Sequence, residues 1–176
     1  MAEKVTNKNL VLGGVTKTVI TPYDKTTGEL SADYYTLMSC VENTTAITQE
    51  EGSSTDILNE QKGVIKSIPS PGTRSFTTES GDIQENILVG LLGYHKAVDG
   101  AFVAPVGDPG IEAKVEVYFQ GGEYKATCYK VALVTSLTIE SMSEGIARGV
   151  IGGKLIDTDV SENGTPDIRA FAIEPV

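Results

Sequence analysis

Tryptophan is absent from this sequence, histidine occurs once and cysteine twice. Each scarcity removes a class of chemistry. One histidine, His95, supports neither a His-Asp-Ser constellation nor, with two isolated thiols, a zinc site. His95 follows a predicted helix C-terminus, where a cation is mildly favoured, so a surface or capping role is expected. Cys40 and Cys128 lie far apart in sequence and read as reduced, buried thiols, with a disulfide between them left open. No apolar run approaches the length of a membrane span. The opening residues MAEKVTNKNLVLGG carry no apolar h-region, so no secretory signal is expected.

Positive charge is also scarce. Fourteen Lys and Arg face 24 Asp and Glu, for a net charge of -10. The excess is even along the chain, with 7 basic and 12 acidic groups in residues 1–88 and the same in 89–176. Affinity for phosphates comes from cations that release counterions, so nucleic acid and anionic membranes are poor partners for such a surface. What is present is an ordinary soluble composition, 40% hydrophobic and 22% charged, long enough at 176 residues for one domain with its own core. Gly is frequent at 19 residues, which points to turns, bulges and close backbone contacts.

Periodicity predicts one helix, over Asp82–Gly93. Ile83, Ile87, Leu88, Leu91 and Leu92 form an apolar stripe, Asp82 and Glu85 fit a capping box, and Gly93 fits the position after the helix. Gly90 inside it implies that something packs closely there. Most of the rest reads as strand. AKVEVYF (Ala113–Phe119) alternates cleanly, and QGG before EYKATCYKVALV marks a hairpin. Further strand candidates are Lys8–Val15, Lys17–Pro22, Gly72–Ser80, Ser136–Ser141 and Ala147–Ile156, the last with a Gly-Gly bend. YDKTTGEL is a turn, and Ser31–Asn43 fits strand or helix. Pro69 and Pro71 keep SIPSPG out of any central strand. DIRAFAIEP fits a last strand or an extended arm.

No motif with a mechanism survives inspection. GGVTKT and GVIGGK both miss the phosphate-binding loop pattern. DTDVSENG departs from a calcium loop after its second carboxylate. The adjacent Glu50 and Glu51 read as hydrated loop charges, not an acid/base pair. No catalytic, cofactor-binding or metal-ligating residue is expected.

The stretch TQEEGSSTDILNEQKGVIK, Thr48–Lys66, is too long and polar for an ordinary connection. Together with SIPSPGTRSFTTE, the helix ending NILVGLLG, VEVYFQGGEYKATCYKVALVTSLTIES and EGIARGVIGGKLI, it resembles the major tail protein (tail tube protein) family of long-tailed non-contractile bacteriophages. The likeness extends to contractile-tail and type VI secretion tube proteins and covers roughly residues 35–156. The resemblance implies a mainly β fold with one α-helix, a β-sandwich or barrel-like tail-tube domain over 1–176 with a long extended loop. It implies an inter-ring loop at about 45–70 and a C-terminal arm at 160–176. It further implies homohexameric rings stacked into a virion tail tube, assembled in the host cytoplasm, with DNA passing through the lumen without specific binding. Tape measure, tail terminator and baseplate proteins would be partners. Glu50, Glu51, Asp56, Ile57, Leu58 and Glu60 become inter-ring loop candidates, with Ile57 and Leu58 as anchors. Glu116, Glu123 and Glu140 become lumen candidates, since a conduit should not grip phosphates. Rival readings are the inner tube of a contractile tail or tailocin, a capsid decoration or adhesion module, and a small β-rich enzyme or ligand-binding barrel.

Overall fold

The computed structural model of the chain describes residues 14–38, 40, 44–58, 64–70, 72–81, 83–107, 109–139, 147–160 and 168–176. The elements are β1 (Val15–Pro22), β2 (Tyr35–Leu37), β3 (Ala46–Gln49), β4 (Ser53–Leu58), β5 (Val64–Ser70) and β6 (Arg74–Ser80). There follow α1 (Glu85–Gly90), β7 (His95–Lys96), β8 (Phe102–Val103), β9 (Glu112–Phe119), β10 (Tyr124–Ile139), β11 (Ala147–Leu155), β12 (Thr158–Asp159), β13 (Ile168–Arg169) and β14 (Phe171–Pro175). The chain is mainly β, antiparallel in its ladders, with one short helix among the described residues. Its main sheet runs β2-β1-β9-β10-β11-β6-β3, with β14 beside β10.

The predicted β9–β10 hairpin is present. Ala113, Val115 and Val117 are buried while the residues between them are half-buried, as the alternation requires. Gly121 and Gly122 turn the chain with φ of 111° and 70°. Where a separate strand was expected at Ser136, β10 instead continues unbroken to Ile139. It does so because its edges are shared. β9 takes one edge, while β14 pairs with Tyr124–Cys128 and β11 with Val131–Ile139 along the other. A register shift between Cys128 and Val131 separates the two stretches. Phe171–Pro175 thus takes the strand alternative.

The expected Gly-Gly bend in β11 is not a bend. Gly152 pairs with Val134 and Thr77, and Gly153 with Leu133 and Phe76, in continuous ladders. A Cβ on Gly153 would stand 2.0 Å from the Ala132 carbonyl oxygen, so the glycine serves close approach to β10.

The helix is shorter than predicted. Gln84 precedes it in an extended conformation with no side-chain cap, and Asp82 lies outside the described residues. At its end Gly90 weakens helix propagation, and the Leu92 and Tyr94 N–H groups reach back to the Ile87 and Leu88 carbonyls. Gly93 then reverses the chain at φ 72°. The apolar stripe still does its work: Ile87, Leu91 and Leu92 are buried with Ile20, Leu37, Phe76, Val115, Cys128, Val131 and Ile151. Gly90 is small because the Tyr35 ring lies against it; a Cβ there would meet the Tyr35 hydroxyl at 2.0 Å.

Among its described residues, the segment Ser31–Asn43 forms a strand over Tyr35–Leu37. Residues 8–13 lie outside the described residues. Cys128 is buried and Cys40 half-buried, and they are not joined.

Gly153→Ala is expected to force β10 and β11 apart and to cost about 2 kcal/mol or more. Gly90→Ala should cost less, because a tyrosine side chain can swing aside and a backbone carbonyl cannot. Thermal unfolding of the two variants checks the order; equal losses would remove the close-approach account of Gly153.

Candidate assembly surface

The polar stretch read from the sequence as a loop is mostly a two-stranded ribbon. β4 and β5 pair antiparallel from Ser53↔Ser70 to Ile57↔Lys66, with a shift before Leu58↔Val64. The ribbon has a particular relation to the main sheet. The β3–β6 pair ends at Gln49↔Arg74, and the β4–β5 pair begins at Ser53↔Ser70. Three residues separate the pairs on each strand, so the register is kept across the gap. β4–β5 is therefore β3–β6 prolonged beyond the sheet by roughly 20 Å.

The root of the ribbon is tight. The Glu50 N–H donates to the Thr73 carbonyl at 2.9 Å, and a Cβ on Gly72 would stand 1.9 Å from the Glu50 carbonyl oxygen. Beyond the root every residue of β4 is exposed. Ile57 is 45% exposed, Leu58 52%, Val64 58% and Ile68 45%, a grouping of aliphatic side chains in water. Leu58 and Val64 are cross-strand partners and share a face. Asp56, two residues before Leu58, accepts a hydrogen bond from the Ser67 hydroxyl. An isolated two-stranded ribbon is at best marginally stable in water.

A second feature lies between β3 and β14. Each pairs on one side only among the described residues. Between them opens an apolar cleft of about 230 Å³, lined by Val15, Thr45, Ile47, Val117, Phe119, Ala126, Phe171 and Ile173. A second, polar cleft shares Phe171 and is lined by Gln49, Arg74, Asp157 and Arg169. Arg74 pairs with Asp157 at 2.9 Å there.

A third feature is the polar face of β9 and β10. Glu116 accepts from Lys125 at 2.6 Å and lies 3.3 Å from Lys114. Burial raises its carboxyl pKa, but the Lys125 hydrogen bond and the Lys114 charge outweigh this and hold it below the usual range. Lys17 sits over the Tyr118 ring at 4.4 Å. Glu174, from β14, accepts hydrogen bonds from the Tyr129 hydroxyl and the Thr127 hydroxyl. The Tyr129 bond is the main cause that lowers its pKa. Glu174 thereby ties β14 to β10 side chain to side chain as well as by the ladder.

The expected residues divide as follows. Asp56, Ile57 and Leu58 come together on the ribbon, and Glu50 and Glu51 stand exposed at its root. Glu60 and Glu140 lie outside the described residues. Glu123 sits in the β9–β10 turn, beside Tyr124. Glu116, a lumen candidate by sequence, is paired with Lys114 and Lys125, with a side chain only 15% exposed. The cause is cross-strand pairing, which brings Lys125 close to it. Sequence reasoning missed the ribbon pairing and the cleft. The ribbon had a signal, in two short runs with aliphatics placed symmetrically about residues 59–63. The cleft had none, since its walls come from five strands.

His95 lies exposed on β7. No helix among the described residues is long and apolar enough to cross a membrane. No family model matches this chain, and no curated protein matches it.

The carboxylate of Glu174 makes the β14 attachment one that is expected to weaken in acid. Glu174 and Glu116 have folded pKa values below their unfolded ones. Their stabilisation is present above roughly pH 4.3 and is lost as pH falls through the depressed values. Lys125 is raised, chiefly by its Glu116 hydrogen bond, so its share is present below roughly pH 10.4 and is lost as pH rises through the raised value. The melting temperature should hold steady between these limits and drop in acid. Glu174→Gln should lower it at neutral pH and shrink the acid-dependent part. An unchanged acid limb in that variant would contradict the assignment.

Proposed function

We propose that this chain is a self-assembling structural subunit whose copies form stacked hexameric rings, building the tail tube of a long-tailed, non-contractile phage through which DNA passes. The observation that carries this reading is the β4–β5 ribbon. It prolongs the β3–β6 pair out of the sheet in register as far as Ile57↔Lys66, exposes four aliphatic side chains and buries no side chain among those described. Its described side chains add nothing to the core of the subunit. A projection with aliphatic flanks suits insertion against a neighbour. The mainly β sheet with one short helix packed on its core agrees with the fold expected of such tubes, and the proposal includes closure of that sheet into a barrel-like sandwich. The net charge of -10 supports a conduit that does not retain DNA. On this reading the tube wall does not depend on Glu116, whose charge is already paired. Tape measure, terminator and baseplate proteins would meet the tube at its axis and ends.

Negative-stain electron microscopy of the purified protein across a concentration and salt series tests the reading. Hollow tubes or six-fold rings are the expected outcome. A variant in which a two-residue Asn-Gly turn replaces residues 53–70 should unfold within about 1 kcal/mol of the parent, because no buried side chain is removed among those the structure describes. It should form no tubes. Tubes built by that variant would overturn the role of the ribbon. Discrete monomers or trimers of the parent at every concentration would favour a decoration or adhesion module instead.

A further inference from the structure

We infer that the Leu58–Val64 pair at the outer part of the β4–β5 ribbon docks into the apolar cleft between β3 and β14 of a second copy of this chain; the inference rests on the self-assembly reading above. Three observations carry it.

The first is size and chemistry. A cavity of roughly 150 Å³ lined by aliphatic side chains stays dry and accepts benzene. The cleft here, about 230 Å³ and walled by Ile47, Val117, Phe119, Phe171 and Ile173, has room for two branched aliphatic side chains. Leu58 and Val64 stand opposite each other on one ribbon face, 52% and 58% exposed, and present two such side chains at the same level.

The second is charge. Asp56 alternates with Leu58 along β4 and so shares its face. The polar cleft that adjoins the apolar one through Phe171 is lined by Arg74, Asp157 and Arg169, with Arg74 paired to Asp157 at 2.9 Å. Two guanidinium groups against one carboxylate leave this rim net positive, and seating Leu58 in the apolar cleft brings the ribbon carboxylate toward it. Complementary sign at the rim fixes orientation and register more than affinity.

The third is geometry. Ile47 of the cleft and Ile57 of the ribbon lie on one antiparallel register, which shifts only before Leu58, and on the order of 30 Å of extended chain separates them. The ribbon therefore points away from its own cleft and is presented to another. Knob and cleft are different surfaces of the same chain, so the contact is heterologous, leaves a free knob at one end and a free cleft at the other, and propagates. That is the contact an elongating assembly needs.

The test is site-directed cross-linking in full-length protein. Leu58→Cys and Ile173→Cys are made as separate variants, since both positions are exposed and tolerate small thiols. Burial pushes the native Cys128 thiol up to about 12, which keeps it unreactive, and each variant alone controls for Cys40. The two variants are mixed, assembled and oxidised, and assembly is followed in parallel by electron microscopy. A disulfide-linked dimer that forms in the mixture and in neither variant alone is the expected result. Leu58→Asp should also raise the protein concentration needed for assembly by about tenfold or more. Assemblies visible by microscopy with no cross-link above the single-variant controls would overturn the docking while the tube reading stands. No assembly of the parent protein at any concentration would remove both.

Discussion

One strand, β10, is the constraint on which the rest of the molecule depends. A β-strand has two edges, and each backbone donor and acceptor along them must find a partner when buried. Over its 16 residues β10 meets that demand with three strands. β9 holds one edge, and β14 and β11 divide the other. The register shift between Cys128 and Val131 is where the strand passes from one set of partners to the next. Its buried side chains, Ala126, Cys128, Val131 and Leu133, reach the core from both stretches. Gly153 belongs to the same constraint, because a side chain there would drive β11 off the Ala132 carbonyl.

This division has a consequence at the far edges. β11 carries the sheet onward to β6 and β3, while β14 stops beside β10. Two edge strands, β3 and β14, are left on either side of an apolar cleft. Exposed edges and apolar grooves are liabilities for a free monomer and assets for a protein that assembles. The β3–β6 pair then runs on as the β4–β5 ribbon. Two ladders in register across a three-residue gap thus supply a wall of the cleft at one end and an exposed projection with aliphatic side chains at the other.

Much of this was legible in the sequence. The alternation of Ala113, Val115 and Val117 could only be a half-buried strand, and Gly121-Gly122 could only be its turn. The stripe of Ile87, Leu91 and Leu92 marked the core face of the helix, although the helix itself closes early. The exposed Ile57 and Leu58 stood out because they interrupt a polar run. The failures share a cause. SLTIES was separated from the hairpin, and GVIGG was given a bend. In each case the deciding partner lies on another strand: β11 for Ser136–Ile139 and the Ala132 carbonyl for Gly153.

The sequence by itself determined the class of the fold, the acidity of the surface and the scarcity of histidine and paired cysteine, because these depend on composition and short periods. It also determined that the region around Thr48–Lys66 is exceptional. Only the tertiary structure decided that this region is a ribbon in register with the sheet, that Glu174 binds β14 to β10, and that Val15, Ile47, Phe119, Phe171 and Ile173 enclose one cleft. Those outcomes are set by strand register and long-range packing. A single chain written in order does not encode them locally, since a shift of one residue in any ladder would turn every side chain to the opposite face.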